Sequence, residues 1–167
     1  TIPFKERALA LAERRTGAAE RAGAANLLVF RADGTIEADN TDGAGLIAAL
    51  GDAGFLHAGP IAVLGAGGAA RGAVLSLLEA GVPQVRVVNR SVDRARALAA
   101  SDDRILACGW DEAPDALDGA AAVINATSLG MTGQPPLELA LDRAPASAVV
   151  MVMVYKPLRT DLLQAAA

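Results

Sequence analysis

Aromatic residues, cysteine and histidine are all scarce in this sequence, and each scarcity narrows the class of protein that it encodes. Aromatic residues make up 3% of the 167 residues, so Ala, Val, Leu and Ile have to form a thin, closely packed core. Nothing around the one cysteine, Cys108, suggests a disulfide or a thiolate metal site, and no metal is predicted. We expect Cys108 to be a buried small hydrophobe. We assign no role to the one histidine, His57, which we expect at the surface of a connector.

The chain also lacks an excess of positive charge and a long apolar run. Its formal net charge is −4, and it has no basic cluster that could neutralise phosphates, so a nucleic-acid partner is not expected. The longest uninterrupted apolar run, at residues 148–154, is far too short to cross a bilayer. We therefore expect a soluble cytoplasmic protein without a membrane partner, which is either a monomer or a homodimer.

What the chain does have is a short apolar strand that turns abruptly into glycines, IAVLGAGGAARG at residues 61–72. The G-x-G-x-x-A spacing at 65–70 lets the backbone approach a pyrophosphate at the N-terminal end of the following helix. The same spacing recurs at 43–48, but the residues before it, 39–42, are polar and cannot be a buried strand. The first match therefore predicts a dinucleotide site, and the second predicts a helix start.

From residue 61 onward, apolar strands alternate with Ala-rich helices through short connections. This alternation predicts an α/β fold with a Rossmann-like, doubly wound parallel sheet built from right-handed βαβ units. We predict strands at 61–64, 84–89, 104–107, 121–125 and 148–154, and helices at 69–80 and 91–100. Earlier in the chain we predict a surface helix at 5–15 that ends near Gly17, a hairpin-like pair at 26–31 and 35–38, a helix capped by Asn40 or Thr41 that stops at 51–54, and a connector at 55–60.

The end of the second strand of the dinucleotide unit predicts which nucleotide is bound. NAD-binding units usually place Asp or Glu there to hold the ribose 2′-hydroxyl, whereas this chain has Asn89, Arg90 and Ser91, with Arg94 one helical turn on. A carboxylate would repel a 2′-phosphate, while two guanidiniums can bind it through charge-assisted hydrogen bonds. NADP is therefore favoured over NAD. The alternative is that both arginines are solvated residues at a helix start.

Seven short motifs occur in the order in which shikimate dehydrogenases have them, and together they cover essentially the whole chain. They are TIPFK at 1–5, GAAN at 23–26, DNTDG at 39–43, GAGGAAR at 65–71, NRS at 89–91, NATSLGM at 125–131 and VYKPLRT at 154–160. On these motifs the chain resembles the shikimate dehydrogenase family. The resemblance implies an enzyme of chorismate and aromatic amino acid biosynthesis that uses NADPH to reduce the ketone of 3-dehydroshikimate to shikimate.

The resemblance also implies roles for individual residues. It makes Lys5 and Asp42 the catalytic pair. Hydride delivered to a carbonyl carbon leaves charge on the oxygen, so Lys5 would supply a proton while Asp42 orients Lys5 and accepts a hydrogen bond from a substrate hydroxyl. Thr1, Asn26 and Tyr155 are expected to hydrogen-bond the substrate. The residues expected to line the cofactor are Gly65, Ala66, Gly67, Gly68, Ala69, Asn89, Arg90, Ser91, Arg94, Thr127, Ser128 and Met153.

The sequence departs from the family pattern in places that bear on the substrate. Two family segments are not among these 167 residues: the serine-containing segment that precedes TIPxK, and a later segment with a substrate-binding glutamine. We therefore expect the 167 residues to be part of a longer polypeptide. Val152 stands where the family usually has aspartate, and Leu27 where threonine is common. On the resemblance, residues 1–55 are an incomplete α/β substrate-binding domain and 56–167 are the NADP-binding Rossmann-like domain, whose C-terminal part could return to the first domain.

Other interpretations stay open at this point. The chain could be a quinate/shikimate or aminoshikimate dehydrogenase, whose substrates differ by one hydroxyl or amine on the ring, although Arg90 and Arg94 argue against relatives that favour NAD. It could also be a catalytically silent NADP-binding module, against which the presence of both Lys5 and Asp42 argues. Taken alone, Lys5 would be an ordinary solvated lysine at a helix start.

Overall fold

Two separate sheets organise the molecule in a computed structural model, which describes residues 4–55 and 59–167. The elements before residue 55 are α1 (Lys5–Ala10), β1 (Arg14–Arg15), α2 (Gly17–Ala22), β2 (Leu27–Phe30), β3 (Ile36–Asp39) and α3 (Asp42–Asp52). Those after residue 59 are β4 (Ile61–Leu64), α4 (Gly68–Glu79), β5 (Val85–Val88), α5 (Val92–Ala99), β6 (Ile105–Cys108), α6 (Ala113–Leu117), β7 (Ala122–Asn125), β8 (Val149–Val152) and α7 (Asp161–Ala165).

The larger sheet is parallel throughout and has the strand order β6-β5-β4-β7-β8. Within this sheet the first strand, β4, is central. The next two strands, β5 and β6, extend the sheet to one edge, and β7 and β8 then extend it to the other, which confirms the predicted doubly wound topology. Successive residues of β4 point to opposite faces. Val63 packs with α3, α4 and α5 on one face, and Leu64 packs with α6 and α7 on the other. All four β4 residues are consequently buried.

The smaller sheet has three strands in the order β1-β3-β2. The predicted hairpin-like pair is confirmed, because β2 runs antiparallel to β3 with Leu27 opposite Asp39. The turn between them is closed by Asp33, whose Oδ1 accepts a 3.0 Å hydrogen bond from the backbone N–H of Thr35. The start of β2 and the end of β3 therefore lie side by side at one end of this sheet.

The prediction of one helix over 5–15 that ends near Gly17 is wrong. Helix α1 ends at Ala10, and β1 follows it as a two-residue strand parallel to β3. Gly17 begins α2 instead of ending a helix, because Thr16 caps that helix by accepting a 3.2 Å hydrogen bond from Ala19 N–H. The Thr16 hydroxyl also donates to Asp39 Oδ1 at 2.5 Å, which ties the start of α2 to the end of β3.

The other predicted elements agree with the structure to within a few residues, with one difference. Helix α6 was not predicted, because it is only five residues long and has Pro114 in its first turn. Helix α3 ends at Asp52, within the predicted stop at 51–54. Residues 56–58 of the predicted connector at 55–60 lie outside the described residues, and His57 is one of them. In the described ranges, no helix combines the length and apolar character needed to cross a membrane.

Close packing of α3 on α4 joins the two parts of the chain. Gly43 is buried against α4, and a Cβ on it would lie 1.8 Å from the Ser76 hydroxyl oxygen, so only glycine fits there without movement. Leu46 and Leu50 of α3 belong to the same apolar cluster as β4 and α4. The second G-x-G-x-x-A match is therefore a helix start, as predicted. The division into two domains at residue 55 stays a prediction.

Candidate active site

Lys5 and Asp42 form an ion pair that joins the first turns of two helices. Lys5 is the first residue of α1 and Asp42 the first residue of α3, and the Lys5 ammonium contacts Asp42 Oδ2. Their side chains keep 24% and 28% of their exposure, so the pair is partly shielded but still reachable from solvent. The backbone holds Lys5 in place as well, since its carbonyl accepts a 2.9 Å hydrogen bond from Ala25 N–H.

Two asparagines fix the position of Asp42. Asn26 Nδ2 donates to Asp42 Oδ1 at 2.8 Å, and Asn40 Oδ1 accepts a 3.0 Å hydrogen bond from the Asp42 backbone N–H. Asn40 is buried and donates its own amide to the Ala24 carbonyl at 2.9 Å. Both oxygens of the Asp42 carboxylate thus have donors. Of the two predicted caps, Thr41 occupies the N-cap position but its side chain makes no capping hydrogen bond, and the Asn40 side chain accepts the Asp42 N–H instead.

The ion pair opens on a cleft of about 280 Å³ that reaches the carboxyl edge of the large sheet. Thr127, Ser128 and Met153, which follow β7 and β8, line the opposite side of this cleft, and Tyr155 and Ala69 border it. Ligands of doubly wound sheets bind at this edge of the sheet. The structure therefore brings together, around one cavity, residues far apart in the chain that were assigned separately to catalysis, substrate and cofactor.

The loop after β7 is held in shape by Asn125, which is almost fully buried. Its Oδ1 accepts from the backbone N–H of Thr127 at 2.9 Å and from the Thr127 hydroxyl at 2.7 Å, while its Nδ2 donates to the Leu129 carbonyl at 3.1 Å. The Thr127 hydroxyl also accepts from Leu129 N–H at 3.0 Å. The Thr127 hydroxyl is therefore engaged within the loop, although Thr127 lines the cleft.

The glycine turn after β4 separates this cleft from a second one. Gly65 has a φ of +106°, and a Cβ on it would lie 3.1 Å from the Thr127 methyl and 3.3 Å from the Ala126 carbonyl, so both conformation and space require glycine. At Gly67 and Gly68 a Cβ would meet nothing within 4 Å. Both residues line the second cleft, so an anion can approach their backbone N–H groups at the start of α4.

The second cleft has a volume of about 370 Å³ and lies over the glycine turn. It is lined by Ala66, Gly67 and Gly68 of the turn, by Arg94 of α5, and by Arg71 of α4 and Glu6 of α1. The Arg94 side chain has no ion pair or hydrogen bond among the residues in the described ranges, so its guanidinium is available to a ligand. An anionic group with phosphate chemistry would fit a cleft that combines free backbone N–H groups with guanidiniums.

The remaining residues predicted for the cofactor lie next to this cleft. Asn89 Nδ2 donates to the Ser91 carbonyl at 2.8 Å, which shapes the turn into α5. Arg90 and Ser91 are exposed in that turn, and Arg90 does not line the cleft. Of the two arginines predicted to bind a 2′-phosphate, the structure brings only Arg94 to the glycine turn.

The remaining residues expected near the substrate differ in their position and exposure. Thr1 lies outside the described residues. Tyr155 borders the first cleft but is 72% exposed, so it is not a core aromatic residue. Leu27 is exposed on the edge strand β2, and Val152 packs with the cluster under α6 and α7.

Cys108 is half-buried at the end of β6, not fully buried as expected. Burial, with a smaller contribution from the Glu112 carboxylate, raises the pKa of its thiol. A raised pKa keeps the thiol protonated and unreactive. Among the described residues no group of three or more His, Cys, Asp or Glu side chains could hold a metal ion.

Sequence reasoning missed eight residues that line the two clefts: four small ones (Ala22, Gly23, Ala97 and Ala126) and four with larger side chains. Met131 and Val154 border the first cleft, and Arg71 and Glu6 border the second. Three of the four lie inside the motifs that carry the resemblance, and Glu6 directly follows one, so their place in the motifs was a usable signal. What the sequence could not supply was the direction in which each side chain points.

Comparison with known proteins gives the family. Residues 49–132 match the family model described as shikimate / quinate 5-dehydrogenase. The chain is 54% identical over 170 residues to the shikimate dehydrogenase (NADP(+)) of Caulobacter vibrioides, a match that covers 99% of this chain and 60% of the relative. The chain thus spans about three fifths of the length of that relative.

Solved structures of the same kind superimpose closely. The shikimate 5-dehydrogenase of Thermus thermophilus, in complex with NADP(H) and shikimate, matches with a TM-score of 0.86 and 36% identity, over 99% of this chain and 61% of that one. The quinate dehydrogenase of Corynebacterium glutamicum, in complex with NAD, matches with a TM-score of 0.87 and 27% identity over the same shares. Sheet topology, glycine turn and sequence all agree with one class of oxidoreductase. This chain belongs to the shikimate / quinate 5-dehydrogenase family.

Proposed function

We propose that this chain carries the active site of an NADP-dependent shikimate dehydrogenase, which reduces 3-dehydroshikimate to shikimate. The observation that carries the proposal is the Lys5–Asp42 pair, which opens on the same cleft as Thr127, Ser128 and Met153. The enzyme would act in the cytoplasm, in chorismate and aromatic amino acid biosynthesis. Residues 1–55 would supply part of the substrate domain, and residues 56–167 the cofactor domain.

The residues around the glycine turn fit a dinucleotide phosphate. Gly67 and Gly68 leave the approach to the α4 N-terminus open, and Arg94 faces the same space without a partner among the described residues. No carboxylate occupies the end of β5, where Asn89 stands. This combination supports NADP over NAD, because a 2′-phosphate gains from the Arg94 guanidinium and meets no carboxylate at the end of β5.

In the proposed reaction, Lys5 provides the proton and Asp42 the positioning. Bound NADPH would supply a hydride to the carbonyl carbon of the substrate. As negative charge develops on the carbonyl oxygen, the Lys5 ammonium donates a proton to it, so the product is a neutral alcohol and Lys5 is left as an amine. Asp42 holds Lys5 through Oδ2, and its Oδ1, which Asn26 already contacts, has a second lone pair for a substrate hydroxyl.

Tyr155 and Asn26 are the further substrate residues of this proposal. Tyr155 borders the cleft with an exposed hydroxyl-bearing ring, which suits a contact to a polar substrate. Asn26 donates to Asp42 Oδ1, and its amide would contact the substrate beside that carboxylate. Thr1 completes the set.

The test compares substrates and nucleotides in the full-length protein. NADPH absorbance is followed after adding 3-dehydroshikimate, and NADP reduction after adding shikimate, quinate or an aminoshikimate analogue, with NADH and NAD in parallel. We expect oxidation of NADPH with 3-dehydroshikimate, and a lower kcat/KM with NADH. Turnover of quinate at a similar or higher kcat/KM would make the enzyme a quinate/shikimate dehydrogenase. Binding of NADPH without turnover of any substrate would indicate a silent binding module.

A further inference from the structure

Arg71 is an arginine of the second cleft that the proposed cofactor contacts leave without a role. It lies in the first turn of α4, four residues after Gly67, and its side chain is exposed. Its Nη1 lies 3.4 Å from where a Cβ of Gly23 would be, so the guanidinium reaches over the end of α2 towards the cleft that it shares with Gly67, Gly68 and Arg94.

The guanidinium of Arg71 has no partner in the part of the chain that the structure describes. Several other surface arginines are paired. Arg21 contacts Glu79 at 2.7 Å and Arg96 contacts Asp93 at 3.1 Å. Glu6 lines the same cleft as Arg71 but does not come within ion-pair distance of it. An unpaired guanidinium beside open backbone N–H groups has the donor geometry that a phosphate requires.

We propose that Arg71 binds the pyrophosphate of the dinucleotide, the part that NAD and NADP share, whereas Arg94 binds the phosphate that distinguishes NADP. The assignment rests on the proposed function and follows from the two helices. Arg71 stands on α4, one turn beyond the glycines at the helix start where a pyrophosphate binds. Arg94 stands on α5, which follows the strand whose end would hold the adenosine ribose in a fold of this kind.

The surroundings of Arg71 match this role. Gly23, in a left-handed conformation with a φ of +62°, ends α2 without a side chain and leaves room for the guanidinium. The Glu6 carboxylate opposes an anion in the same cleft, and the backbone N–H groups and Arg71 together have to outweigh that repulsion.

The two assignments are separated by measuring the dissociation constants of both NADPH and NADH, by fluorescence titration of the full-length protein. Arg71→Ala is expected to raise both constants about tenfold, as the loss of one charge-assisted hydrogen bond would. Arg94→Ala is expected to raise the constant for NADPH about tenfold and that for NADH less than about twofold. Arg71→Lys, which keeps the charge but loses the fork of donors, should recover part of the loss.

The matched control is Arg96→Ala, which removes the same charge from α5 outside the cleft and should leave both constants within about twofold of wild type. Because Arg71 is exposed, its variants should melt at the wild-type temperature in the absence of ligand. The proposal is overturned if Arg71→Ala resembles Arg96→Ala, or if it weakens NADPH binding alone. If the wild-type protein binds neither nucleotide, the proposed function itself fails, which is a different result.

Discussion

Asn26 Nδ2 donates a 2.8 Å hydrogen bond to Oδ1 of Asp42, on the side of the carboxylate away from Lys5. The same amide nitrogen lies 3.2 Å from the Thr41 hydroxyl, and Asn26 Oδ1 accepts from Thr41 N–H at 3.0 Å. The resemblance assigns Asn26 to the substrate. Its contacts within the protein give it a second task, which is to hold Asp42 at the start of α3.

Asn26→Ala separates these two tasks. If Asn26 positions Asp42, kcat should fall about tenfold or more while KM changes little, because the misplaced carboxylate affects the transition state more than substrate binding. Thr41→Val, which removes only the neighbouring hydroxyl, is the control and should keep kcat within about threefold of wild type. Steady-state kinetics with 3-dehydroshikimate provides both numbers. A rise in KM at unchanged kcat would show that Asn26 acts on the substrate alone.

Gly43 and Gly45 belong to the same chance motif on α3 but should respond oppositely to alanine. At Gly43 a Cβ would lie 1.8 Å from Ser76 Oγ and 2.8 Å from Ser76 Cβ, so Gly43→Ala should push α3 from α4 and destabilise the fold by about 1–3 kcal/mol. At Gly45 a Cβ would meet nothing within 4 Å, so Gly45→Ala should stabilise the helix by about 0.5–1 kcal/mol.

Urea denaturation of both variants measures these differences in the free energy of unfolding. Adding Ser76→Gly to Gly43→Ala removes the obstructing atoms and should recover most of the loss caused by Gly43→Ala. If Gly43→Ala were as stable as Gly45→Ala, α3 and α4 would not pack as closely as described.

The large sheet was predictable because its strands are continuous apolar runs separated by glycine and Ala-rich helices. The segment at 5–17 was not, because a two-residue strand such as β1 has no periodicity, and Thr16 caps a new helix where the charge pattern favours one long helix. In the site, the motifs indicated Lys5 and Asp42 but not that Asn26 contacts Asp42. Arg71 was missed because its place in the cleft depends on how α2 packs against α4, which local sequence does not determine.

Asp102 gives a pH dependence of stability that is independent of catalysis. Hydrogen bonds from the Arg104 guanidinium, then from its backbone N–H, lower the pKa of Asp102 from 3.8 to about 2. Arg104 also donates to the Leu78 carbonyl at 3.0 Å, so the pair links the end of α4 to the start of β6. A depressed pKa contributes stability that is fully present above the unfolded-state value and is lost as the pH falls through the folded-state value.

Wild type should therefore be more stable than Asp102→Asn at neutral pH, with a constant difference down to about pH 5. About half of the pKa-linked part of that difference should be gone near pH 3. Urea denaturation at each pH measures this difference, and Asp103→Asn, which changes the adjacent exposed carboxylate, serves as the matched control. A difference between wild type and Asp102→Asn that is the same at pH 3 as at pH 7 would contradict the assignment of the low pKa to this pair.

In the proposed reduction, Lys5 donates the proton to the substrate ketone in the cleft that it shares with Asp42. The most direct test is the rate of NADPH oxidation at saturating 3-dehydroshikimate in full-length Lys5→Ala, with Arg7→Ala as the control that removes a cation from the same helix. Loss of a general acid should lower kcat about 10²–10⁴-fold, while Arg7→Ala should stay within about twofold of wild type. Wild-type turnover by Lys5→Ala would contradict the proposed role of Lys5.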